Sequence, residues 1–230
     1  MATAEKISYA YDLTGSDYCV EREFDIATGT VIEQGEVVKL SSGKVVAIGD
    51  ADQDDPYLGI AAEAHTGTAD TLNPRADGLR IKVKCSPTAV FKCKPGIVST
   101  ADSGNTTTWV DAEVTAVADD TYNGGYLKLT EKATASTLTS PLGTVYAVTD
   151  FATTSGTFTG AFAGGVVAGD KALIFPPVGG YGWDLNSDGT NLDLKAHGGE
   201  SIVIIDVDTQ LEYVYFMLRL HQFGNYMVAL

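Results

Sequence analysis

Gly35-Glu36-Val37-Val38-Lys39-Leu40-Ser41-Ser42-Gly43-Lys44-Val45-Val46-Ala47-Ile48 is the stretch that decides the fold class. Two Val-rich runs flank Ser42-Gly43, a pair suited to the tight reversal of a hairpin. Neither run has the three-to-four spacing of an amphipathic helix. Outward from this hairpin the same grammar continues. The acidic run Asp50-Ala51-Asp52-Gln53-Asp54-Asp55-Pro56 reads as a solvated loop, and Tyr57-Leu58-Gly59-Ile60-Ala61-Ala62-Glu63 as a third strand. Further strands are expected at 79–85, 89–93, 108–114, 126–129, 143–148 and 171–175, the last stopped by Pro176-Pro177.

The expected architecture is all-β. A small β-barrel or sandwich over 29–100 is followed by a second barrel or sandwich over 101–230. Residues 1–28, with scattered tyrosines and no sustained periodicity, read as an extended N-terminal arm that gains order by lying on something else. Ser99-Thr100-Ala101-Asp102-Ser103-Gly104-Asn105-Thr106 has the composition of a linker or long loop. The Thr- and Gly-rich stretch 153–165 is either a long exposed loop or small-residue strands with tight turns. In the C-terminal block, Ser201–Ile205 enters a turn near 206–209 and 211–220 returns. Both of its faces, Tyr213/Tyr215/Met217 and Val214/Phe216/Leu218, are apolar, which suits burial between layers or in an oligomer. A faint internal echo joins Ile32-Glu33-Gln34-Gly35-Glu36 to Val166-Val167-Ala168-Gly169-Asp170, both apolar-x-x-Gly-acid ahead of a strand.

Composition narrows the partners. The chain has 230 residues, 30 acidic against 15 basic, for a net charge of −15 and a pI near 4.4. Such a molecule is expected to be repelled by nucleic acid and by anionic membranes unless its few bases are clustered. No run reaches the ~18 apolar residues of a membrane-spanning helix, and the N-terminus lacks the order of a secretion signal. Neither nucleic acid nor membrane is an expected partner. Three cysteines cannot all pair within one chain. If Ser86-Pro87-Thr88 is a three-residue hairpin loop, Cys85 faces Ala89, Val83 faces Phe91 and Ile81 faces Cys93, so Cys85 and Cys93, the close pair, lie two rungs apart, too far for a disulfide; all three cysteines are expected to be reduced, as in a cytosolic protein.

That same hairpin gathers charge. Arg75, Arg80, Lys82, Lys84, Lys92 and Lys94 fall within twenty positions, with Asp77 the only acid among them. The expected register sets Lys82 opposite Lys92 and Arg80 opposite Lys94, an unfavourable arrangement unless something neutralises it. Either a neighbouring acidic strand or the loop at 50–55 does so internally, or the ribbon meets an acidic surface on another protein. The partner-binding expectation rests on Arg80, Lys82, Lys84, Lys92 and Lys94.

Catalytic signatures are missing. There is no Gly-x-Ser-x-Gly, no His-Glu-x-x-His and no phosphate loop, since Val38 stands where the glycine five positions before Gly43 is required. His65, His197 and His221 lie in separate segments. Asp184-Leu185-Asn186-Ser187-Asp188-Gly189 opens like a calcium loop, but the twelfth position is Lys195 instead of a bidentate glutamate. Three oxygens (Asp184, Asn186 and Asp188) leave a hard cation under-coordinated, so neither metal nor cofactor is assigned and no enzyme is expected.

The run from Ile32 to Leu40, then Gly43-Lys44-Val45-Val46, then Tyr57-Leu58-Gly59-Ile60-Ala61-Ala62-Glu63-Ala64, then Ile81 to Lys94, resembles the small β-barrels of tailed-bacteriophage head decoration, or cement, proteins. The resemblance covers residues 29–98; this chain carries a second β region that the smallest family members lack. It implies a non-enzymatic virion protein, made in the host cytoplasm, that binds the outside of a shell of major capsid protein and stabilises it, often as a homotrimer. A second expectation is a carbohydrate- or receptor-binding β module of a fibre or surface appendage, with Trp109, Tyr122, Tyr126, Tyr181 and Trp183 lining a sugar groove. Aromatics in sheets are more often core.

Overall fold

The computed structural model describes residues 7–15, 19–26, 29–48, 57–65, 80–114, 119–179 and 202–218, and the backbone alone of 184–185 and 192–193. Nineteen strands and no helix occur among them. In chain order the first seven are β1 (Ser8–Asp12), β2 (Glu21–Asp25), β3 (Val37–Ser41), β4 (Lys44–Ala47), β5 (Gly59–Ala61), β6 (Arg80–Lys84) and β7 (Ala89–Cys93). The next seven are β8 (Val98–Thr100), β9 (Ser103–Gly104), β10 (Thr108–Val110), β11 (Tyr126–Glu131), β12 (Val145–Ala147), β13 (Asp150–Ala152) and β14 (Thr157–Thr159). Last come β15 (Lys171–Phe175), β16 (Asp184–Leu185), β17 (Leu192–Asp193), β18 (Ile202–Asp208) and β19 (Tyr213–Leu218). They build four antiparallel sheets, ordered β2-β6-β5-β3-β4, β1-β7-β19-β18, β12-β11-β15-β8 and β13-β14-β10-β9, plus the ribbon β16-β17. The protein is all-β.

The opening hairpin forms as its residues dictate. Ser42 and Gly43 both adopt positive φ, 51° and 78°, the mirror-image turn whose twist matches that of the strands it joins. Leu40 pairs with Val45 and Val38 with Ala47. At Gly59 a Cβ would run into the Lys84 carbonyl oxygen, so only glycine lets β5 lie this close to β6. The five-stranded sheet curls until Ile26, just past β2, makes a single parallel bridge to Val45 of β4. No continuous ladder closes it, so the expected barrel is an open curled sheet. Inside the curl sit Ile26, Ile32, Val38, Val45, Leu58, Ala61, Ile81, Val83 and Cys85.

The faint echo in the sequence is a repeated structural unit. In the first copy the Glu33 N–H donates to the Glu36 carboxylate (2.7 Å) across Gly35, whose φ is 84°. In the second, the Val167 N–H donates to the Asp170 carboxylate (3.0 Å) across Gly169, φ 90°. Each turn then exchanges two backbone hydrogen bonds with an alanine. Gly35 N–H reaches Ala61 O and Ala61 N–H reaches Glu36 O; Gly169 N–H reaches Ala101 O and Ala101 N–H reaches Asp170 O. The register that follows is the same, Val37 with Ile60 and Lys171 with Thr100. So β5-β3-β4 recurs as β8-β15-β11. Chain order is swapped: the turn precedes its partner strand in the first copy and follows it in the second.

The segment 99–106 is not a linker. Ser99 is fully buried and Ala101 nearly so. The polar side chains that gave it a loop composition are spent internally. Trp109 Nε1 donates to Ser99 Oγ (2.9 Å), and Ser99 Oγ donates to the buried Asp111 carboxylate (2.6 Å), which also accepts the Thr100 N–H. This chain of bonds satisfies a buried indole and ties β8 to β10. Of the two readings of 153–165, small-residue strands hold: Phe158, between threonines on β14, pairs with both Trp109 and Phe151. Tyr122 stacks edge-on against Phe151 at 4.6 Å, and Tyr146 against Phe162 at 5.0 Å. These rings belong to one large core that runs from Ile7 to Leu218.

Within the expected N-terminal arm, residues 8–12 and 21–25 are strands that lie on the rest of this same chain. They pair with β7 and β6. The sheet β1-β7-β19-β18 draws on all three expected segments, 1–28, 29–100 and 101–230, because β7 bonds to β1 on one side and β19 on the other. The C-terminal hairpin turns at 209–212, a few residues later than its sequence suggests: β18 runs on through Asp206 and Asp208, paired with Tyr215 and Tyr213, and Asp208 Oδ1 accepts the Gln210 and Leu211 N–H groups. Its Val214/Phe216/Leu218 face is in the core, while Tyr213, Tyr215 and Met217 are half-buried on the other side.

Candidate functional site

The basic ribbon expected from 80–94 does not form. β6 and β7 leave the corner Cys85–Thr88 into different sheets, so Lys82 does not face Lys92 and Arg80 does not face Lys94. What turns the chain is Asp12, a buried residue at the end of β1. Its Oδ1 accepts the Thr14 N–H (2.9 Å), Thr14 Oγ1 (2.6 Å) and Thr88 Oγ1 (2.8 Å); its Oδ2 accepts Ser86 Oγ (2.8 Å). A backbone bond from Leu13 N–H to Thr88 O runs alongside. Burial pushes this carboxyl upward, but the donors from Thr14, Ser86 and Thr88 outweigh it and hold its pKa at about 2.

Beyond the corner, the cations meet partners on both sides. Glu21, Glu23 and Asp25 of β2 stand in register with Lys84, Lys82 and Arg80 of β6. Arg80 Nε lies 3.3 Å from Asp25, and its guanidinium 4.0 Å from Glu23. The Lys82 N–H donates to the Glu63 carboxylate at 3.0 Å. Each such exposed pair contributes at most about 1 kcal/mol, yet together they fix which strand lies beside β6. Lys84 Nζ sits 5.8 Å over the Tyr9 ring. Across the corner, Lys92 and Lys94 both cover Tyr213, at 4.6 and 4.2 Å, and Lys94 donates to Leu211 O at 2.8 Å. An acidic neighbouring strand therefore stands in register with Arg80, Lys82 and Lys84 and forms ion pairs with Arg80, and an aromatic ring receives Lys92 and Lys94.

Sequence reasoning missed this pairing although its signal was present. Glu21-Arg22-Glu23-Phe24-Asp25 carries acids at every second position, the mirror of Arg80-Ile81-Lys82-Val83-Lys84 read in reverse. It also missed Lys128, a half-buried cation of β11 that grips the C-terminal turn through Glu212 (2.7 Å). The outer face of β1-β7-β19-β18 carries Tyr11, Lys92, Tyr215 and Asp206. Tyr11 and Tyr215 rings lie 6.4 Å apart. Burial, then Asp206 and Tyr215, raises the Tyr11 hydroxyl pKa above its usual value.

The other candidates separate. Trp109 and Tyr122 are fully buried core residues and line no exposed groove; Tyr126 is half-buried against the same core, and Tyr181 and Trp183 fall outside the described residues. In the calcium-like stretch, Asp184 pairs with Asp193 in the ribbon β16-β17, and Asn186 and Asp188 lie outside the described residues, as do Arg75, His197 and His221. Among the described residues no group of three His, Cys, Asp or Glu is placed to hold a metal ion. Comparison with protein-family models, with curated proteins and with solved structures returns no match to this chain.

Proposed function

We propose that the protein is a non-enzymatic structural component of a phage particle that binds the outside of a shell of major capsid protein and stabilises it, self-associating, with a trimer favoured. One observation supports this most directly. Of the five strands that carry the resemblance to head decoration proteins, β3, β4, β5 and β6 lie side by side in one curled sheet around their own core, while β7 leaves for the sheet it shares with β1 and β19. Elsewhere the buried carboxylates Asp12, Asp111 and Asp170 are engaged in fold-building bonds. With Arg80, Lys82 and Lys84 matched to β2, the cations proposed to meet the partner are Lys92 and Lys94, set beside Tyr213 on an outward face; tyrosine is enriched at protein interfaces.

The test is sedimentation of purified protein with shells assembled without it, followed by the thermal midpoint of the shells. Co-sedimentation with a raised midpoint is expected, and Lys92→Glu weakens it. Protein that stays in the supernatant and leaves the midpoint unchanged refutes the proposal. Retention on a glycan array under the same conditions would instead favour the carbohydrate-binding reading.

A further inference from the structure

The Cys19 and Cys85 thiols converge on one backbone atom: each Sγ donates to the Val20 carbonyl oxygen, at 3.8 and 3.7 Å. The Cys85 N–H donates to that same oxygen at 2.9 Å. Cys19 is thus one residue out of step with its cross-strand neighbour. That stagger, on strands about 5 Å apart with a rise of about 3.3 Å, sets the two Cα atoms about 6 Å apart. Disulfides span about 4.4–6.8 Å between Cα atoms. Cys19 lies ahead of β2, where strict strand alternation has not begun, so its side chain is able to turn toward Cys85. The third thiol, Cys93, sits in a different sheet and is buried.

We infer that Cys19 and Cys85 form a latent cross-linking site, reduced in this structure, that closes to an intramolecular disulfide on contact with a small-molecule disulfide such as oxidised glutathione. The Cys19 thiolate attacks one sulfur of the oxidant, giving a mixed disulfide and releasing one glutathione thiol. The Cys85 thiolate then displaces the second glutathione. Two protein thiols are oxidised, one disulfide is reduced, and the two thiol protons end on the two glutathiones. Half-exposed Cys19 takes the first step because Cys85 is buried. Burial raises both thiol pKa values, so the reaction is slow at neutral pH and is driven by alkaline conditions. The bond would tie the lead-in of β2 to the end of β6, and with it one hydrophobic cluster to the other, since Cys19 packs on the larger core and Cys85 on the smaller.

The test incubates native protein with oxidised glutathione at pH 9 and reads intact mass, cross-linked peptides and the melting midpoint. Support is a product about 2 Da lighter, a peptide pair joining Cys19 to Cys85, and a midpoint higher by roughly 5–10 °C that dithiothreitol reverses. Cys93→Ser should react like the parent, and Cys19→Ser should lose the cross-link; because Cys19 is half-exposed, this variant tests the idea even if Cys85→Ser does not fold. A stable glutathione adduct without the internal link, a disulfide-linked dimer, or no reaction in native protein would each overturn the inference.

Discussion

Replacing Asp12 with asparagine should destabilise the protein at neutral pH and do almost nothing in strong acid. In the folded state its carboxylate receives the Thr14 N–H and three hydroxyls at 2.6–2.9 Å. An asparagine offers one acceptor oxygen and no charge, and its amide nitrogen stands where Oδ2 accepts the Ser86 hydroxyl, so that bond is lost or must reverse. The pKa falls from 3.8 to about 2 on folding, worth about 2 kcal/mol. Because the folded value lies below the unfolded one, this stabilisation is complete above roughly pH 5. It fades as the pH drops below the unfolded value and is gone only once the pH has fallen through the folded one, at about pH 1. Urea unfolding of parent and Asp12→Asn at pH 7, 5, 4 and 3 measures the difference directly, other carboxylates cancelling between the two proteins. The expected gap is at least about 2 kcal/mol at pH 7 and shrinks steadily toward pH 3. A gap that is absent at pH 7, or constant across the series, refutes the assignment of Asp12 as the ionised clamp of the 86–88 corner.

Three further outcomes follow from the packing. Lys82→Glu sets a carboxylate opposite Glu23 and should cost about 0.5–1 kcal/mol in urea titration, with Glu23→Lys in the same chain restoring most of it. Trp109→Phe keeps the ring but strips the donor to Ser99 Oγ; a loss of about 1–2 kcal/mol is expected, and no loss would deny the buried network a structural role. Gly35→Ala and Gly169→Ala force the same positive-φ turn on an alanine and should each lower stability by about 1–2 kcal/mol; a large effect at one and none at the other would break the equivalence of the two units.

Local chemistry was legible. Ser42-Gly43 announced its turn, Pro176-Pro177 marked the end of β15, and alternation located 80–84 and 89–93 as strands. Partnership was not legible in the same way. The loop Ser86-Pro87-Thr88 has hairpin length, but the choice between hairpin and corner is made by Asp12, more than seventy residues away. Likewise, β2 is too charged to read as a strand alone, and becomes one only beside the cations of β6. Ser99 and Asp111 look like loop residues because Ser and Asp usually bond to water; here they bond to each other around a tryptophan. The apolar-x-x-Gly-acid echo was too short to weigh by itself. Its weight comes from matched hydrogen bonds that sequence spacing does not display.

The sheet β1-β7-β19-β18 places the two ends of the chain on either side of one central strand, and this sets a timetable for synthesis. The curled sheet needs nothing beyond Lys84, so its strands are all available once the first third of the chain has left the ribosome. β7 follows at once, yet one of its edges stays open until Tyr213–Leu218 arrives. For that interval Phe91 has Tyr9 of β1 on one side but not Phe216, which it ends up against on the other, and an unpaired backbone edge is left open. Chains stalled or truncated before residue 213 should therefore pair with one another through β7 and collect as aggregates, while full-length chains do not.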